Sequence, residues 1–138
     1  MKKRAALIAF LAVSISPGAH AQANQWHPFF EGQDGSETFV ANSISKNRAG
    51  EARVWTYIDY PTKQFDSTIG IFTSIQQQFL IDCRSGQYSL LQLQAYDGPG
   101  LSGRRTFDIS NSDAEAHAGL RDPSPSSMLR RLMETICH

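Results

Sequence analysis

Two cysteines, Cys83 and Cys137, are the strongest constraint on this chain, because its first residues direct it to a compartment where they pair. Lys2, Lys3 and Arg4 are followed by an apolar run from Ala5 to Ile15, broken only by Ser14, and Pro17-Gly18 ends it. Ala19-His20-Ala21 then sets small residues around a variable one, the pattern a signal peptidase cuts after, between Ala21 and Gln22. Ala21-Gln22-Ala23 offers a second register. A membrane anchor is the alternative, but an eleven-residue helix rises only about 16 Å, roughly half a hydrocarbon core. Residues 1–21 are thus read as a cleavable signal and 22–138 as a single domain.

Export bears on both charge and redox state. The first 21 residues carry three of the 13 Lys and Arg and none of the 13 Asp and Glu, so ten basic side chains face thirteen acidic ones in the remainder, a net charge of −3. A mildly acidic domain without a basic run gives no electrostatic case for nucleic acid or an anionic membrane. With no cysteine near the cleavage point, a lipid anchor is not expected, and the mature chain is read as soluble, in the periplasm or secreted. In an oxidising compartment Cys83 and Cys137 join and close a 55-residue loop, worth about 4 kcal/mol on the chain-entropy model. Two buried free thiols are the alternative.

From Trp26 to Ile109 short β segments alternate with turn residues and no long stretch has helical period, which predicts a mainly antiparallel sheet. Six strands are expected, near Trp26–Glu31, Thr38–Ala41, Ala52–Asp59, Ile71–Cys83, Gln87–Tyr96 and Arg104–Ile109, with polar Lys63–Thr68 as a loop. Parity constrains one hairpin. Phe79, Ile81 and Cys83 alternate along one strand and Leu91, Leu93 and Ala95 along the next, so odd positions face the core. A three-residue loop, Arg84-Ser85-Gly86, then sets Phe79 opposite Leu91 and Cys83 opposite Gln87.

Residues 110–123 read as a loop, with a helical turn at Asp113–His117. Beyond Pro123 and Pro125, the residues Met128, Leu129, Leu132, Met133 and Ile136 recur at helical spacing, with Ser124 or Ser126 as cap. Cys137 lies one turn after Met133, so the disulfide pins the helix end to the core face of the sheet. The expected class is α+β, an antiparallel sheet of about six strands with one C-terminal helix on one face and the other face uncovered.

Catalytic and metal motifs are sparse. His27, His117 and His138 stand in no metal-ligand spacing, no serine sits in a nucleophile elbow, and the glycine-rich run Gly98–Gly103 lacks the ending of a phosphate loop. No metal, cofactor or catalytic residue is assigned, and His27 with His117 is the only pair offering acid–base chemistry. The aromatic residues carry more. In Arg53–Tyr60, Val54, Ile58 and Tyr60 point to one side and Trp55 and Tyr57 to the other. With Tyr88, Leu90 and Tyr96 placed by parity on the uncovered face, Trp55 and Tyr57 offer a binding or dimer surface. Packing under the 61–76 segment or the N-terminal segment is the competing reading.

The sequence resembles the surface-adhesin protein E family of bacterial envelope proteins. The matching features are Trp26, Phe39, Ser43-Ile44, Val54-Trp55, Asp59-Tyr60 and Ile81-Asp82-Cys83, then Tyr96 with Gly98 and Gly100, Pro125-Ser126, Leu132 and Ile136-Cys137. The resemblance implies a sheet with a disulfide-tied C-terminal helix and no catalytic residue. It also implies a protein-binding role, since well-known relatives resemble adhesins for host matrix and serum proteins such as laminin, vitronectin and plasminogen, and can dimerise. Two features depart from the family: the lipid-anchoring cysteine is absent, and no tryptophan follows Tyr96, where Phe107 stands instead. A periplasmic or secreted inhibitor of an enzyme such as lysozyme, presenting Gly98–Gly103, is the alternative function.

Overall fold

The computed structural model describes residues 25–138, so the Ala21–Gln22 cleavage position lies outside the described residues. Seven strands form one antiparallel sheet: β1 (Trp26–Glu31), β2 (Glu37–Ala41), β3 (Ser45–Lys46), β4 (Glu51–Asp66), β5 (Gly70–Asp82), β6 (Gln87–Tyr96) and β7 (Arg105–Ser110). Their order is β1-β2-β4-β5-β6-β7, with β3 also pairing with β4. Two helices follow, α1 (Asp113–Ala118) and α2 (Met128–Ile136). The expected class holds, with one more strand and one more helix than the six and one predicted. The extra strand, β3, is only two residues long and shows no periodicity to detect.

One face of the sheet carries the main core. Val40, Ala52, Val54, Phe79 and Ile81 pack there against Leu132, Met133 and Ile136 of α2, all buried. Burying each aliphatic side chain stabilises by about 1.5–3 kcal/mol, so this face accounts for the helix, which at nine residues is too short to persist alone. Neither predicted serine caps α2. Ser127 does, its Oγ accepting from the Arg130 N–H at 3.2 Å. At the other end the Cys137 N–H donates to the Met133 carbonyl at 2.9 Å, and Lys46 Nζ donates to the Ile136 carbonyl, a cation placed where the helix dipole favours it. The Cys83–Cys137 disulfide forms, its Cα atoms 5.3 Å apart, and fixes this end to the sheet.

The β5–β6 hairpin departs from the parity prediction between its turn and Leu91 and follows the predicted register beyond. Asp82 pairs with Gln87 around a four-residue loop, and Ile81 pairs with Tyr88 and Phe79 with Leu90. A bulge follows, after which Gln78 pairs with Gln92 and Gln77 with Leu93. Leu91 is the extra residue, and it inverts the face of everything on β6 before it. Tyr88 and Leu90 therefore pack against the helix-side core, Tyr88 edge-on to Phe79 with ring centroids 6.0 Å apart, and Leu91 turns to the opposite face.

Of the segment Lys63–Thr68, predicted as a loop, the first four residues are strand. β4 bulges between Asp59 and Gln64 and then continues, with Gln64 opposite Phe72 and Asp66 opposite Gly70. Asp66 Oδ1 accepts from the Thr68 and Ile69 N–H groups at 2.8 and 3.0 Å, closing the turn. This arm exposes Phe65 and Ile71 at its tip, while Phe72 at its base is buried against Tyr60 and Ile75, and its polar Lys63–Asp66 strand has no apolar alternation for a sequence pattern to find.

Candidate functional site

The sheet face opposite α2 is not bare. At one end α1 lies across it, burying Ala116 against Leu80 and Leu91, and Leu120 packs beside them. A reciprocal capping box starts α1: the Glu115 N–H donates to Ser112 Oγ at 3.1 Å, and the Ser112 N–H donates to Glu115 Oε1 at 3.2 Å. Arg53 on β4 reaches Asp113 at 3.0 Å. His117 sets Nδ1 2.6 Å from the Asp113 carbonyl oxygen and Nε2 against the Glu51 carboxylate. With an acceptor on each ring nitrogen, the imidazolium is the form that satisfies both contacts. The Asp113 carbonyl and the Glu51 carboxylate hold the His117 pKa above its ordinary range, and the Asn47 amide, then His117, hold Glu51 below the usual carboxylate range.

At the other end the glycine-rich run folds down on the same face. The Gly100 N–H donates to Asp59 Oδ1 at 3.0 Å and the Leu101 N–H to Ser74 Oγ at 2.9 Å, while Ser74 Oγ donates to the Gly98 carbonyl at 2.7 Å. Asp97 Oδ1 accepts from the Arg104 N–H at 2.7 Å and closes the base of the loop. Leu101 adopts φ 63°, a conformation costly for a side chain with a Cβ, so the anchoring bonds hold strain here. The loop is bound down along its length rather than protruding.

Between α1 and this loop lies a trough running across the strands, and the register places its floor in two rows. One row runs Phe39, Tyr57, Gln76, Gln94 from β2 to β6. The other begins at Trp26, crosses Ala41, and continues through Trp55, Gln78 and Gln92. Tyr57 is the hub of the aromatic half. Phe39 stacks on it at 4.5 Å and 13°, and Trp26 meets it edge-on at 4.9 Å. Trp26 spans from β1 to β4 because Ala41 beneath is small, and Ala41 is left with no exposed surface. Burial, then the Asp59 and Glu37 charges, raise the Tyr57 pKa, so its hydroxyl stays a neutral donor and acceptor.

Of the five side chains predicted for a binding surface, Trp55 and Tyr57 lie in the floor, and Tyr96 lies beside the loop, opposite Ser74. Tyr88 and Leu90 do not join them, for the bulge at Leu91 sends both to the helix side. Trp26, Phe39 and the four glutamines were not predicted as surface residues. Glutamines at 76, 78, 92 and 94 share parity across the bulge, and this alternation is the signal that could have found them. His27 is exposed on β1 in register with Val40 of the helix-side core, whereas His117 sits on the trough side, so the sheet separates the two. Among the described residues no cluster of His, Cys, Asp and Glu is arranged to hold a metal, and no helix is long and apolar enough to cross a membrane.

Comparison with known proteins agrees with this architecture. The crystal structure of protein E from non-typeable Haemophilus influenzae superposes with a TM-score of 0.53 at 11% identity, covering 88% of this chain and 79% of that one, a likeness of fold. No curated protein sequence matches. The family model for surface-adhesin protein E matches residues 26–138, which includes every strand and both helices. The chain therefore belongs to the surface-adhesin protein E family.

Proposed function

We propose that this protein is a non-enzymatic, exported binding protein of the bacterial envelope, released from its signal between Ala21 and Gln22 into the periplasm or the medium. Its partners are host matrix or serum glycoproteins, and they dock in the trough between α1 and the Gly98–Gly103 loop. One observation carries the reading. Trp26, Phe39, Trp55 and Tyr57 stand partly exposed in a single patch that no element among the described residues covers. Half-exposed aromatic rings gathered on one face mark an interaction surface, since isolated folding alone favours burying them. The enzyme-inhibitor reading draws no support from the loop, which is hydrogen-bonded to Asp59 and Ser74 instead of being presented to a partner.

Solid-phase binding of the purified mature protein to laminin and vitronectin tests the proposal. Saturable binding at micromolar concentration, weakened at least tenfold by Trp55→Ala with the fold intact by circular dichroism, is the expected result. Absence of any saturable signal refutes it.

A further inference from the structure

The trough is chemically uneven along its length, and the unevenness bears on what it holds. Its β1–β4 half is aromatic. Its β5–β6 half is an array of primary amides, with Gln76 directly opposite Gln94 and Gln78 directly opposite Gln92. All four are half-buried, and the amides of Gln76, Gln78 and Gln92 make no hydrogen bond to another group among the described residues, while Gln94 has only a marginal contact of 3.5 Å from the Tyr96 hydroxyl. Each amide thus offers a donor and an acceptor outward.

The floor is also uncharged. The ionic groups lie at its rim: Arg53 pairs with Asp113, Glu51 with His117 and Arg105 with Asp108, while the Asp59 and Glu37 carboxylates stand beside Tyr57. An anionic ligand finds no unpaired cation among the described residues there, the floor side chains themselves offer no charge to a cationic one, and an extended peptide finds no free backbone groups on the floor between β2 and β6, because the unpaired strand edges lie at β1 and β7. The matching ligand is electrically neutral, carries groups that both donate and accept hydrogen bonds along its length, and has apolar C–H faces to lay on aromatic rings. A pyranose chain has all three properties. From β1 to β6 the floor spans four strand spacings, about 19 Å, which accommodates several sugars. The two floor rows each run across the strands in a line, and an extended β-linked chain follows a line better than a coiled one.

We propose that the trough is a binding site for neutral, extended β-linked oligosaccharides, with Trp55 and Trp26 as stacking platforms and Gln78, Gln92, Gln76 and Gln94 as hydrogen-bonding groups to the sugar hydroxyls. This rests on the trough being the docking surface and names the chemistry by which it recognises a glycoprotein partner.

The chain has two tryptophans, Trp26 and Trp55, and both belong to the trough, so intrinsic fluorescence reads this site directly. Titration of the mature protein with cellohexaose and chitohexaose is expected to give a saturable change with at least one of them, and titration with a heparin hexasaccharide none. Gln78→Ala and Gln92→Ala are each expected to raise Kd about tenfold, and Trp55→Ala by at least as much, read by calorimetry, with Arg130→Ala on the helix side unchanged. No response to either neutral hexasaccharide at millimolar concentration overturns the inference, as does an equal or stronger response to heparin. Sugar-free fluorescence that changes with protein concentration, alongside a dimer in sedimentation, overturns it in favour of a second copy of the chain. The laminin assay separates the two proposals. Binding that survives enzymatic removal of the laminin glycans overturns the glycan inference and leaves the binding-protein reading standing, whereas a sugar response without laminin binding overturns the host-matrix reading alone.

Discussion

Replacing both cysteines, Cys83→Ala with Cys137→Ala, removes the one covalent tie between α2 and the sheet. The bond joins positions 54 apart in sequence, and opening that loop in the unfolded chain releases about 4 kcal/mol of entropy at room temperature. Domains of this size have only about 5–15 kcal/mol in all, so the double variant should fold with a small remaining margin. The helix itself should stay in place when folded. Leu132, Met133 and Ile136 remain buried on Val54, Phe79 and Ile81, and Lys46 still donates to the Ile136 carbonyl. The expected result in urea unfolding, followed by tryptophan fluorescence, is a midpoint shift equivalent to about 4 kcal/mol, with Tm lower by roughly 15–25 °C. Far-UV circular dichroism of the folded variant should match the parent, and Lys46→Met in the intact protein should cost less than the disulfide. A loss under about 1 kcal/mol with unchanged cooperativity would refute the loop-entropy argument, since α2 and the sheet would then hold together without the cross-link.

Thr56 is fully buried, and its Oγ1 is the one buried side-chain polar atom without a hydrogen-bond partner among the described residues, so Thr56→Val should raise stability by about 1 kcal/mol in the same urea assay. Leu132→Ala, at a side chain only 1% exposed, should cost about 2–5 kcal/mol. The clamp between α1 and β4 should depend on pH at both ends. His117 has a raised pKa, so its contribution is present at low pH and is lost as pH rises through that raised value; Glu51 has a lowered pKa, so its contribution is present near neutrality and is lost as pH falls through that lowered value. Asp113, held low by Arg53, and Asp82, which opposes Glu51 ionisation, are the other charges facing the pair. Hydrogen exchange in Asp113–Ala118 should therefore be slowest, relative to the intrinsic rate, between those two limits, and His117→Ala should remove the alkaline loss.

Much of the fold is legible because it rests on short-range chemistry. The helical recurrence of Leu132, Met133 and Ile136 identifies α2 and its buried side, and the alternation of Val54, Trp55 and Tyr57 sorts β4 into two faces without knowledge of its neighbours. Two cysteines, expected to join in an oxidising compartment, form the bond that the structure contains. What parity could not decide is the face of β6 up to Leu91, whereas beyond it Leu93 and Ala95 are buried as expected. Leu90 and Leu91 are adjacent and equally apolar, so the sequence is compatible with either one facing α2. Only tertiary packing chooses: α1 supplies Ala116 as a partner for Leu91, α2 supplies one for Leu90, and the bulge between the two serves both cores. The same long-range contacts fold Gly98–Ser102 onto Asp59 and Ser74 and carry Trp26 across Ala41 to Tyr57. Sequence by itself determined the buried side of α2, the two faces of β4 and the cross-link, because periodicity and cysteine chemistry act locally. Tertiary structure alone decided that Tyr88 and Leu90 leave the trough face, because that depends on a register shift whose free energy comes from two helices distant in sequence.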